Sequence, residues 1–246
     1  MLTDPLFWLV AIPAVLITGI SKSGFAGGAG GLTVPLLALA VSPTTAAALM
    51  LPLLIFMDML SVRSWWGEQN NHHLFILLPT AIVGIGVGYL LFDKLNEDYL
   101  KGILGAIALL FGLYGLATNG RFNKPPSHLF GLICGTLAGF TSFVAHAGGP
   151  PLNSYLLPLR LLKREYLATA VLFFAVVNAV KLIPYSLLGQ INLTNLQASL
   201  VLAPIAYLGV RLGLKIQDKI DEQRFKQIIF GLMIIIGLRL LWNLFD

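Results

Sequence analysis

Charge is scarce in this sequence. Of its 246 residues only 11% are Asp, Glu, Lys or Arg against 57% hydrophobic, and the mean hydropathy is +0.83. Soluble domains carry about a quarter of their residues as charges, so the chain reads as a polytopic membrane protein. Cysteine is nearly absent. The one residue, Cys134, lies in an apolar segment, which excludes an intrachain disulfide and a thiolate metal cluster. No HExxH, no Cys/His cluster and no GxxxxGK[ST] occurs. Metal-ligand sets, nucleotide phosphate cradles and cofactor motifs are therefore missing, and no enzyme is expected. His72-His73 reads as interface, because adjacent helical histidines face different ways. The N-terminus lacks a basic n-region and a small-residue cleavage pattern, so its first apolar run is expected to be retained. The net charge is +5. Its basic residues sit in short loops between apolar runs, where the positive-inside rule accounts for them, and no nucleic-acid signal is left.

What is present is a series of apolar runs, each near the length that crosses about 30 Å of hydrocarbon. They predict an all-α protein with eight transmembrane helices, at roughly 5–22, 44–62, 73–92, 98–118, 128–146, 165–188, 194–214 and 224–244. Two apolar arms, 32–41 and 152–159, are too short to span. Ser42-Pro43 has the pattern of an N-cap followed by a first-turn proline.

The runs repeat. Asp93, Lys94, Lys101 and Gly112 match Asp218, Lys219, Lys226 and Gly237 at one constant spacing, and Gly67 and Asn70 match Gly189 and Asn192 at a similar one. Two homologous four-helix halves follow, 1–120 and 126–246, joined by a polar linker at 118–127. Each half opens with a helix interrupted by glycine. In the first the stretch is GISKSGFAGGAGGLTVP (Gly19 to Pro35), and in the second GFTSFVAHAGGPP (Gly139 to Pro151). Clustered glycines stop a helix, and backbone freed by such a stop is tolerated at membrane depth only where it is buried in protein or lines a wet cavity. Duplicated halves with corresponding interrupted helices are the pattern of secondary transporters, whose site lies between the repeats.

Each interrupted helix either crosses with its short arm or turns back as a re-entrant hairpin, and the hairpin makes the two halves inverted. Loop charge does not choose between these arrangements. Both put 160–164 and 211–226 in the cytoplasm and both termini outside. The segment 5–41 is too long for one span and too short for two with a loop, which favours the hairpin.

GISKSGFAGGAGGLTVPLLAL, SPTTAAALMLP, GFTSFVAHAGGPP and FFAVVNAVKLIPYSLLG together resemble the TauE/SafE family of sulfite and organosulfonate exporters, over nearly the full chain. The resemblance implies an inner-membrane anion transporter with two homologous halves, handling sulfite, sulfonates or other sulfur-containing anions. The second glycine stretch has no counterpart of Lys22, so any site is asymmetric.

Candidate substrate-binding residues follow from what an anion requires. Lys22 and Lys181 are cations in apolar segments, where a charge either faces a partner, cavity or ligand or snorkels to an interface. Ser21, Ser23, Thr141 and Ser142 offer hydroxyls at the breaks, and Gly24, Gly30, Gly31, Gly148 and Gly149 offer exposed backbone N–H groups. The other reading of the hydroxyls is bonding to the preceding helical turn. Asn178 and Tyr185 share a helix face with Lys181, and Asn153 follows the double proline. Asp58, the one acid inside an apolar run, and His146 are candidates for coupling to a proton or cation. Asp58 has Arg63 as another possible partner, at poor helical spacing. An anion channel or a membrane scaffold is the alternative to a transporter.

Overall fold

The computed structural model describes residues 4–25, 27, 30–92, 96–118, 126–217, 219 and 222–242. Among them are ten α-helices and no strand. They are α1 (Pro5–Gly24), α2 (Gly30–Leu37), α3 (Pro43–Trp65), α4 (Asn71–Phe92), α5 (Glu97–Thr118), α6 (His128–Ala145), α7 (Gly149–Leu156), α8 (Lys163–Leu187), α9 (Leu193–Ile216) and α10 (Glu222–Trp242), with a 3-10 turn at Leu157–Leu159 after α7. Linker residues 119–125, and Asp93, Lys94 and Asp218 of the repeat, lie outside the described residues.

The helices form where the apolar runs require them, and side chains set their starts. Asp4, Ser42, Ser127 and Asn192 each accept a bond from a first-turn N–H of α1, α3, α6 and α9, with Pro43 at the first position of α3. Among the described residues six helices, α1, α3, α4, α6, α8 and α9, are long and apolar enough to cross a membrane. This is a multi-pass membrane protein. The sequence expects α5 and α10 to cross as well; their apolar stretches are shorter, Gly105–Ala117 and Phe230–Trp242. The two short arms are helices in their own right, α2 and α7.

Glycine seams hold the bundle together. A Cβ on Gly139 would fall inside the Ala81 carbonyl oxygen, and one on Gly84 inside the Thr136 carbonyl, so α4 and α6 pack backbone to backbone. Gly19 meets Gly209 and Gly24 meets Gly213 in the same way between α1 and α9. Lipid supplies no hydrophobic drive for helix association, and small residues compensate by letting backbones approach. Gly24 and Gly139, expected to belong to the breaks, are thus packing residues.

Helix directions follow from the same pairs. Leu77 lies against Gly135 and Gly88 against Phe143, so α4 and α6 run parallel, as do α1 and α9. Gly105 lies against Leu241 and Gly115 against Phe230, so α5 and α10 run antiparallel. Antiparallel too are α3 and α8, with Asp58 beside Asn178 and the Trp65–Trp66 end beside Ala168 and Val171.

Both short helices fold back. The hydroxyls of Thr18 in α1 and Thr33 in α2 touch. Tyr155 of α7 lies against Gly131 of α6. The first reversal uses Gly27 in the left-handed region, at φ 67°; the second uses His146 there, at φ 51°.

Candidate functional site

The two breaks meet in the core. A Cβ on Gly31, in the first turn of α2, would stand 3.0 Å from the Ala147 Cβ at the second break. Phe174 of α8 is wedged beside them. Its ring edges lie 3.0 Å from a Cβ on Gly27 and 3.1 Å from one on Gly148, and its face carries the Lys22 ammonium 5.3 Å from the centroid.

Lys22 does not snorkel. Its residue exposure is 5%, and its Nζ sits 2.7 Å from Asp58 Oδ1. Asn178 Nδ2 donates to the other carboxylate oxygen at 2.7 Å. Arg63, the other partner considered for Asp58, does not take that place. Pairing across 36 positions of sequence is what the buried carboxylate needs, since an ion alone in a dry interior is costly.

Lys181 is fully buried, at 0% exposure. Its Nζ donates to the Ser142 carbonyl at 2.9 Å and to Ser142 Oγ at 3.0 Å, and lies 2.7 Å from His146 Nδ1. His146 Nε2 is 2.9 Å from the Ala47 carbonyl. A carbonyl only accepts, so Nε2 carries the ring hydrogen and Nδ1 accepts from Lys181. In the α3 turn before Pro52, the Ala47 and Leu49 carbonyls accept from His146 and Ser199 of other elements. Asn178, one turn before Lys181, joins the two lysine groups into one buried polar patch.

The remaining candidates divide. Tyr185 is buried, stacks on His146 at 6.1 Å and donates to the Phe143 carbonyl at 2.7 Å. Thr141 bonds the carbonyls of Leu137 and Ala147, closing the second turn. Ser23 bonds those of Gly19 and Val210, tying α1 to α9. These two hydroxyls therefore follow the structural reading. Ser21 is buried, and its carbonyl accepts from Phe25 and Gly27 at the first turn. Gly30 and Gly149 begin α2 and α7. Asn153 accepts from Tyr166 OH at 2.9 Å and is not part of the lysine patch.

Sequence reasoning missed Phe174, an aromatic inside an apolar run, and Trp65, just beyond the end of one. Trp65 Nε1 donates to the Ser23 carbonyl at 3.3 Å, across 42 residues, and the Tyr185 bond to Phe143 also spans 42. The aromatic at the end of α3 pins the first broken helix as the aromatic at the end of α8 pins the second. An internal comparison of the halves could have aligned the two.

A groove of about 670 Å³ on the α3–α8 face reaches Asp58, with Ile55, Val62 and Ala179 as its walls and Arg63 and Trp66 at its outer end.

Residues 11–240 match the family described as Sulfite exporter TauE/SafE. The chain belongs to the TauE/SafE family. That membership makes it a membrane transporter of the sulfite exporter class, in agreement with its six candidate spans. No curated protein and no solved structure matches the chain.

Proposed function

We propose that this chain is a secondary transporter that moves small sulfur-containing anions, sulfite or organosulfonates, across the bacterial inner membrane, with its site where the two helix breaks meet. The carrying observation is the convergence of both breaks on one buried patch holding Lys22 and Lys181. A cation at membrane depth is expensive and persists where it serves a charged ligand or pathway. Oxyanions of sulfur accept several hydrogen bonds, and donors are at hand from Asn178 and Lys181, one turn apart on α8, and from Ser142 of α6.

The halves are read as an inverted repeat with re-entrant hairpins. If α1–α2 and α6–α7 each crossed once, α3 and α8 would run parallel, as would α5 and α10; both pairs are antiparallel. The matching Trp65 and Tyr185 anchors support the same duplication. In this arrangement α5 and α10 also span, the 160–164 loop is cytoplasmic, and both termini are outside. The groove beside Asp58 is a route from the cytoplasmic side to the patch.

The test is flux in proteoliposomes across sulfite, taurine, sulfoacetate and thiosulfate. Saturable flux of at least one, driven by a proton or cation gradient, is expected. Flux without saturation makes the protein a channel, and no flux of any of them removes the proposal in favour of a scaffold.

A further inference from the structure

Among the described residues, the buried charged side chains are Lys22, Asp58 and Lys181. His146 is neutral in this geometry, since one ring nitrogen donates to the Ala47 carbonyl and the other accepts from Lys181. Donating to the Ser142 carbonyl, Ser142 Oγ and His146 Nδ1 uses three hydrogens, which makes the Lys181 nitrogen an ammonium. Two ammonium groups with one carboxylate leave the patch with a single uncompensated positive charge. The charge is localised by the contacts. Lys22 has its own counter-ion at 2.7 Å, whereas each partner of Lys181 is a neutral carbonyl, hydroxyl or imidazole. A buried ion with neutral partners only is the place where an external counter-ion gains most, because low dielectric magnifies the attraction and no internal anion has to be displaced.

We infer that Asp58 is a specificity-determining residue that fixes the charge of the transported anion at one, by neutralising Lys22 and leaving Lys181 to hold the substrate. The inference rests on the anion-transporter reading. A monoanion brings the patch to neutrality. A dianion at the same place leaves one buried negative charge in excess, facing the Asp58 carboxylate. Charge, and not the shape of the oxygen cluster, is then what separates an organosulfonate from sulfate. Asp58 acts through Lys22 and the net charge, with no direct contact to the anion.

Methanesulfonate and sulfate share a tetrahedral sulfur and differ by one charge, so equilibrium binding of the radiolabelled pair to the purified full-length protein isolates this effect. The unaltered protein should prefer methanesulfonate. Asp58→Asn raises the patch to two positive charges and should move the preference towards sulfate by at least about tenfold. Lys22→Met lowers it to zero and should abolish binding of both ions. Adding Asp58→Asn to Lys22→Met restores a single positive charge, so methanesulfonate binding should return. That rescue separates charge balance from direct ligation, because a Lys22 that gripped the anion could not be replaced by removing its partner. Elution as a single monodisperse peak identifies the folded variants, and the Lys22→Met pair decides the matter if Asp58→Asn alone does not fold. An unchanged preference in folded Asp58→Asn, or no rescue in the folded double variant, overturns the inference while leaving the transporter intact. Binding of neither ion nor of sulfite by the unaltered protein overturns the transporter reading itself.

Discussion

The break between α1 and α2 and the break between α6 and α7 are built alike and charged differently. Among the described residues each reverses with one in the left-handed region, each is pinned by an aromatic side chain 42 residues further on, and each lies beside one buried lysine. At the first break the lysine comes from the broken helix and its partner, Asp58, from the crossing helix α3. At the second the lysine comes from the crossing helix α8 and its partners, Ser142 and His146, from the end of the broken one. The first break is internally neutralised and the second is not. The lesson is that the two breaks share a scaffold while a few unmatched side chains supply the polarity of each.

The arrangement of the two halves gives the largest expected effect, because labelling is all or none. With native Cys134 buried, Leu162→Cys should react with an impermeant reagent only from the cytoplasmic side and Asn96→Cys only from outside. Reaction of Asn96→Cys from the cytoplasm would break the inverted comparison.

Stability should then separate the two lysines. Lys22→Met strands the Asp58 carboxylate, and losing one partner of a buried pair costs about 3–5 kcal/mol. Lys181→Met strands only neutral acceptors, at about 1–3 kcal/mol. Unfolding in detergent measures both, and equal losses would erase the proposed difference between the breaks.

The seams come next. Gly139→Ala drives a methyl into the Ala81 carbonyl and should cost about 1–3 kcal/mol, as overpacking does; Gly86→Ala meets nothing within 4 Å and should be neutral or slightly stabilising. Matching melting temperatures for the two variants would mean that α4 and α6 do not pack through glycine. The smallest effect is at the anchors. Trp65→Phe and Tyr185→Phe each remove one hydrogen bond, so each should lose about 0.5–1.5 kcal/mol, and a loss confined to one of them would sharpen the asymmetry.

Much of the scaffold was legible because its signals are local. Hydrophobic runs marked the long helices to within a few residues, Ser42-Pro43 marked the start of α3, and paired glycines marked both breaks. The site was less legible. Nothing local ties Lys22 to Asp58 or Lys181 to Ser142, since those pairs exist only once α1 meets α3 and α6 meets α8. Phe174 is chemically indistinct from its apolar neighbours in sequence, and becomes distinct only by touching both breaks and Lys22. Glycine misled at Gly24 and Gly139, where one residue type serves both to stop helices and to let them approach.

Anion transport through a patch centred on Lys181 is tested most directly by concentration-dependent methanesulfonate and sulfite flux in proteoliposomes holding the unaltered protein, Lys181→Met, Lys181→Arg or the exposed control Lys219→Met. A charge-assisted hydrogen bond contributes roughly 1.5–3 kcal/mol, so Lys181→Met should weaken apparent affinity about tenfold to a hundredfold or more. Lys181→Arg should recover only part of it, because a planar fork does not replace a compact ammonium, and Lys219→Met should behave as the unaltered protein. Unchanged affinity in correctly inserted Lys181→Met would contradict the account.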